Sequence, residues 1–151
     1  MYRVKGFTLI ELMVALVVLA IVLMLGVPAF TGSLERSRAD ADTGELLRAL
    51  NFARMEALNN SMNVSLNATK AGDWTDELEV LRDQTALRNY AAMGPGASIA
   101  TTGNVSSITF NSLGGLESSS TAIVFTYTRG AETKSIVVCP SGRVMAGTSC
   151  T

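Results

Sequence analysis

Apolar and polar positions divide the chain into three successive patterns. From Leu12 to Val27 no charged or strongly polar side chain interrupts the sequence, a run long enough to cross a hydrocarbon layer of roughly 30 Å as a helix. A single carboxylate, Glu11, stands at the leading edge, and the next charge is Glu35. A charge inside hydrocarbon costs on the order of 2.5–3.5 kcal/mol, so Glu11 needs either a partner or a place at headgroup level, where the cost is small. Gly26-Val27-Pro28 closes the run. Membrane helices tolerate such breaks, and the expectation is a helix that bends there without stopping.

The second pattern is amphipathic. Leu46, Leu50, Ala53 and Ala57 recur at i, i+4, i+7 and i+11, with Glu45, Arg48 and Glu56 turned away from that stripe, which predicts a helix packed on a core. Asn59-Asn60-Ser61 supplies breakers, so one nearly continuous helix is expected from Phe7 to about Leu58. The third pattern is short β-like runs separated by Gly, Asn, Asp and Ser clusters: Met62 to Leu66, Leu78 to Leu81, Ser98 to Thr101 and Val105 to Phe110. The clearest pair is Ala122 to Thr128 with Thr133 to Cys139, where Ile123, Phe125 and Tyr127 alternate with polar or smaller residues. Arg129-Gly130-Ala131-Glu132 is its expected turn. Val144 and Met145 form a last short strand. The fold class is therefore α+β, with an N-terminal helix, membrane-spanning in its first half and amphipathic in its second, packed on a C-terminal antiparallel β-sandwich-like head.

Composition narrows the chemistry. The formal charge is −1, and loss of residues 1–6 would remove Arg3 and Lys5 and take it to −3; a mildly acidic body argues against bulk nucleic-acid binding. There is no histidine, which removes imidazole acid–base catalysis and the commonest metal ligand. With no convergent acid–base or metal-ligand cluster, the expectation is no enzyme, no cofactor and no metal. Arg3 and Lys5 precede the apolar run without an acid to cancel them, placing the amino terminus in the cytoplasm and the body outside. Cys139 and Cys150 flank a short loop; in an oxidising compartment they close a disulfide ring with a stabilisation of roughly 3 kcal/mol, and two unpaired thiols are the alternative. A plain signal anchor is the alternative for the apolar run.

Gly6-Phe7-Thr8-Leu9-Ile10-Glu11, with basic residues before it and an apolar helix after it, resembles the leader of type IV prepilins and type II secretion pseudopilins. The resemblance implies that a prepilin peptidase cuts between Gly6 and Phe7, that the new Phe7 amine is N-methylated, and that Glu11 helps the subunit join a filament by neutralising a neighbour's terminal amine. It divides the chain into a leader (1–6), an apolar transmembrane and assembly helix (7–32), its amphipathic continuation (33–60) and a β-rich head (61–151). Phe52-Ala53-Arg54-Met55-Glu56-Ala57, Ile108-Thr109-Phe110 before a glycine turn, and Gly142-Arg143 resemble the GspH/FimT-like minor pilins and pseudopilins. For Arg54 and Glu56 the residues themselves suggest a solvated face with a capping or salt-bridge role.

The implied function is a minor type IV pilin, a non-catalytic filament subunit that helps initiate or cap pilus assembly. Its partners would be other major and minor pilins or pseudopilins, the peptidase, and the inner membrane before assembly, with the head in the periplasm until incorporation into an extracellular filament or periplasmic pseudopilus. A type II secretion minor pseudopilin is one alternative. A DNA receptor for natural transformation is another, since some FimT-like proteins bind DNA through a Gly-Arg-x-Arg element. Here that element reads Gly142-Arg143-Val144-Met145 and lacks the second arginine. Arg129 and Lys134 could join Arg143 in a small basic patch with a few phosphate contacts.

Overall fold

The structure is a computed structural model and describes residues 7–151, apart from the side chains of residues 25–29. Residues 1–6, on which the leader and Gly6 rest, lie outside it. The chain forms two units, Met1–Arg36 and Ser37–Thr151.

One helix, α1, runs Leu9–Asn60 and does not stop at Pro28; the expected bend falls on residues 25–29. In the first unit its large apolar side chains are exposed, from Leu9 through Met24. Among the described residues no helix is long and apolar enough to cross a membrane.

In the second unit α1 has a different surface. Leu46, Leu50, Ala53 and Ala57 are fully buried, as their spacing predicts, with Ala39 and Ala49 beside them. Its end is a left-handed cap: Ser61 has φ 52°, and the Met62 amide donates to the Ala57 carbonyl at 3.3 Å. That bond satisfies a carbonyl the helix would otherwise orphan.

Eight strands follow: β1 Val64–Ala68, β2 Leu78–Arg82, β3 Thr85–Tyr90, β4 Ala97–Thr101, β5 Ser107–Phe110, β6 Ile123–Arg129, β7 Glu132–Val138 and β8 Val144–Ala146. They form two antiparallel four-stranded sheets, ordered β3-β2-β1-β5 and β4-β6-β7-β8. Helical Leu46 and Leu50 share one core with Val64, Leu66, Ile108 and Phe125. Trp74, in the β1–β2 connection, packs edge-on against Phe125 with ring centroids 4.9 Å apart, and its indole N–H donates to the Val105 carbonyl at 2.8 Å.

Several strand expectations shift, among them β5, which starts at Ser107 and not at Val105. The helix cap uses Ser61 and Met62, so β1 starts later, at Val64. The β6–β7 turn is tighter than the four residues expected, because Arg129 and Glu132 pair within the ladder and leave only Gly130 and Ala131 outside it. β3 is an addition. It is joined to β2 through Asp83 and Gln84, both at positive φ, with Arg82 opposite Thr85.

Candidate functional site

The helix start is built by Thr8 and Glu11. The Thr8 backbone amide and hydroxyl each donate to Glu11 Oε2 at 3.2 Å, and the Glu11 amide donates to the Thr8 hydroxyl at 3.3 Å. This reciprocal Thr-x-x-Glu arrangement is a capping box, which satisfies helix donors that have no intrahelical partner. Glu11 therefore has a local task in addition to the one its resemblance implies. The signal was legible as a spacing of three between a threonine and a glutamate. Phe7 precedes the box and is 85% exposed.

The cysteines are joined: Cys139 and Cys150 form a disulfide with Cα atoms 5.8 Å apart. β8, inside the ring, pairs with β7 through Ile136, Val137 and Val138.

Arg129 does not join a surface basic patch with Lys134 and Arg143, which corrects the expectation for it. Arg129 extends the inward parity of Ile123, Phe125 and Tyr127 by one more step along β6, and only 5% of it is exposed. Its Nη2 donates to the carbonyls of Gly94 and Pro95 at 2.7 and 3.0 Å and lies 3.8 Å from Asp42 Oδ2. Lys134 is paired with Asp40 on α1. Arg143 turns its Nε and Nη2 to the sulfur of Met145, the residue that replaces the second arginine, at 3.3 and 3.1 Å. Two of the three cations thus serve intramolecular carboxylates, and one of those is buried where no phosphate can reach it.

Asp42 also receives the Tyr127 hydroxyl at 2.6 Å, tying α1 to β6. Burial pushes that phenol above its ordinary range, and the bond to Asp42 pushes it further in the same direction. No group of three or more His, Cys, Asp or Glu side chains placed to hold a metal ion occurs among the described residues.

The residues of the second resemblance converge on one junction. Arg54 Nε donates to the Gly114 carbonyl at 3.0 Å, across the gap between α1 and the turn after β5. Gly142, at φ 76°, approaches that same carbonyl so closely that an added Cβ would lie 1.6 Å from its oxygen. Gly114, at φ 75°, leaves 2.8 Å between such a Cβ and Leu58 Cγ. Glu56 pairs with Arg82 on β2 at 3.3 Å, both half-buried. Arg54 and Glu56 are therefore not a solvated face: each fastens α1 to a different part of the β structure.

A helix led by a methylation-type motif and continued into two antiparallel sheets defines the class of proteins that carry an N-terminal methylation motif. Within that class the chain belongs to the GspH family: the family model for type II transport protein GspH matches residues 42–142. The model for the prokaryotic N-terminal methylation motif matches residues 1–27. Comparison with curated proteins returned no match. Among solved structures, the type IV minor pilin FimU of Pseudomonas aeruginosa is similar at 23% identity and TM-score 0.67, over 78% of this chain and 98% of that one. A second crystal form of it gives 22% identity and TM-score 0.63, over 72% and 92%. The minor pseudopilin EpsH from the Type 2 Secretion System of Vibrio cholerae is similar at 10% identity and TM-score 0.54, over 72% and 95%. These likenesses establish a shared fold.

Proposed function

We propose that this chain is a minor type IV pilin, a non-catalytic subunit that helps initiate or cap a filament. The observation that carries the reading is continuity: the methylation motif at residues 1–27 runs into the same helix that enters the GspH-type domain. The precursor waits in the inner membrane as a single-pass protein, through the apolar run from Leu12, with its head in the periplasm. A prepilin peptidase cuts between Gly6 and Phe7, and Phe7 becomes the N-methylated terminus.

Glu11 then has two successive roles. While the subunit waits, the capping box gives its carboxylate two donors and lowers the cost of a charge near hydrocarbon. On assembly the terminal amine of an adjacent subunit supplies a countercharge. A buried carboxylate left without such a partner is strongly unfavourable, so only subunits in the right register are accepted. Glu11→Gln separates the roles, because glutamine keeps the capping geometry and removes the charge. Both Glu11→Gln and Glu11→Ala are expected to remain folded and membrane-inserted while being lost from sheared filaments, as read by immunoblot of the two fractions. Wild-type incorporation of the glutamine variant would reduce Glu11 to a cap.

A second reading, a minor pseudopilin of a type II secretion machine, is supported by the description of the matching family. Lost exoprotein secretion with intact twitching in a deletion strain would select it.

A further inference from the structure

A cavity of about 280 Å³ lies between α1, the start of β2 and the end of β3. Asp42, Glu45 and Arg48, at helical spacing on α1, line one wall, and Asp76 joins them from the β1–β2 connection. The lining sets three carboxylates against one guanidinium. The bonds these carboxylates make within the chain fall on one oxygen of each: Asp42 Oδ2 accepts from the Tyr127 hydroxyl, Glu45 Oε2 from Arg48, and Asp76 Oδ1 from the Glu77 amide. Arg129, which does not line the cavity, approaches Asp42 at that same Oδ2.

Carboxylates alone would make this a solvated acidic surface. Tyr90 makes it a site. It belongs to the same wall, is only 4% exposed, and its buried hydroxyl has no hydrogen-bond partner among the described residues. Buried polar atoms are nearly always paired, so this oxygen is left for something that enters the cavity. Burial pushes the phenol above its ordinary range, and the charges of Arg88, Glu45 and Arg48 act on it as well. Two of those three residues line the cavity. Leu46, Leu78 and Met93 supply its apolar part.

The distribution of charge selects the ligand. No three of these carboxylates are placed to hold a metal ion, so the negative charge is spread along the cavity and not focused at one point. An ammonium donates three hydrogen bonds and accepts none; an alkyl stem lies along apolar surface while its charged end reaches polar groups. We propose that this cavity binds a short aliphatic diamine, its ammonium groups shared between the helical carboxylates and Asp76, with the Tyr90 oxygen as a further acceptor and the stem on Leu46, Leu78 and Met93. Two positive charges balance the lining's own excess of two carboxylates over Arg48. The volume sits at the lower end of the range for ligand pockets, roughly 300 Å³, which favours a short chain. The site lies within the second unit and is independent of filament assembly.

The test is thermal unfolding and calorimetric titration of the detergent-solubilised full chain with 1,4-diaminobutane near pH 7, against sodium chloride at matched ionic strength. The diamine should raise the unfolding temperature in a saturable way, and butylamine and calcium chloride should not match it. Glu45→Gln and Asp76→Asn should each weaken binding about tenfold. Tyr90→Phe, which keeps the ring in the core, should weaken it by less, and Asp83→Asn, on the β2–β3 turn outside the cavity, should bind as wild type does. No rise beyond that given by salt overturns the proposal. Equal binding of butylamine or calcium overturns it too, as do wild-type affinity in Glu45→Gln and Asp76→Asn or an equal loss in Asp83→Asn.

Discussion

Leu16, Leu19 and Leu23 belong to the same helix as Leu46 and Leu50. The first three are more than half exposed, while the last two are fully buried. The difference lies in what surrounds each part of the helix. From Leu12 to Met24 apolar residues occupy every face, with no polar side left for water. From Ala39 to Ala57 they occupy one stripe, and the two sheets cover it. One half of α1 is completed by its own chain, and the other carries an apolar surface that requires lipid or another subunit.

The contrast can be broken most severely by Leu50→Ala. Truncating a fully buried leucine removes its transfer free energy and leaves a cavity, so a loss of about 2–5 kcal/mol is expected in denaturant unfolding of the detergent-solubilised chain.

Tyr127→Phe should cost less, about 1.5–3 kcal/mol, by removing a hydrogen bond to the Asp42 carboxylate. It carries a pH signature as well. The folded state raises the Tyr127 pKa, so folded protein retains that proton more tightly than unfolded protein. The contribution is complete below the ordinary phenol value of about 10 and is lost as pH rises above it. Wild type and Tyr127→Phe should therefore converge in stability in alkaline solution; a pH-independent gap would deny the linkage.

The smallest effect is expected from Leu16→Ala. Leu16 is more than half exposed and lies outside the head's core, so the same chemical change as in Leu50→Ala should shift unfolding of the second unit by no more than about 0.5 kcal/mol. A loss matching that of Leu50→Ala would erase the distinction between the two halves.

Periodicity made much of this molecule legible. The helical stripe, the β6–β7 hairpin and the joining of Cys139 to Cys150 follow from spacing and compartment. β3 did not announce itself: Thr85-Ala86-Leu87-Arg88-Asn89-Tyr90 has no inward apolar alternation, because most of the strand is exposed at the edge of its sheet. Its turn uses Asp-Gln at positive φ, where Asn-Gly would have been the recognisable signal. Arg129 was misplaced for a related reason. A charged residue beside a glycine reads as a turn, yet strand parity carries it inward, and the Gly94 and Pro95 carbonyls with Asp42 make that position tolerable. The Arg54–Gly114–Gly142 junction joins residues distant in sequence, and no local pattern encodes that contact.

The mature amino terminus distinguishes a filament subunit from a plain anchor most directly. Intact-mass and peptide analysis of the full-length chain recovered from sheared filaments should find a protein that begins at Phe7 and carries an added methyl group on its terminal amine. Recovery only from the membrane, with Met1 to Gly6 still attached in cells whose other pilins are processed, would contradict it.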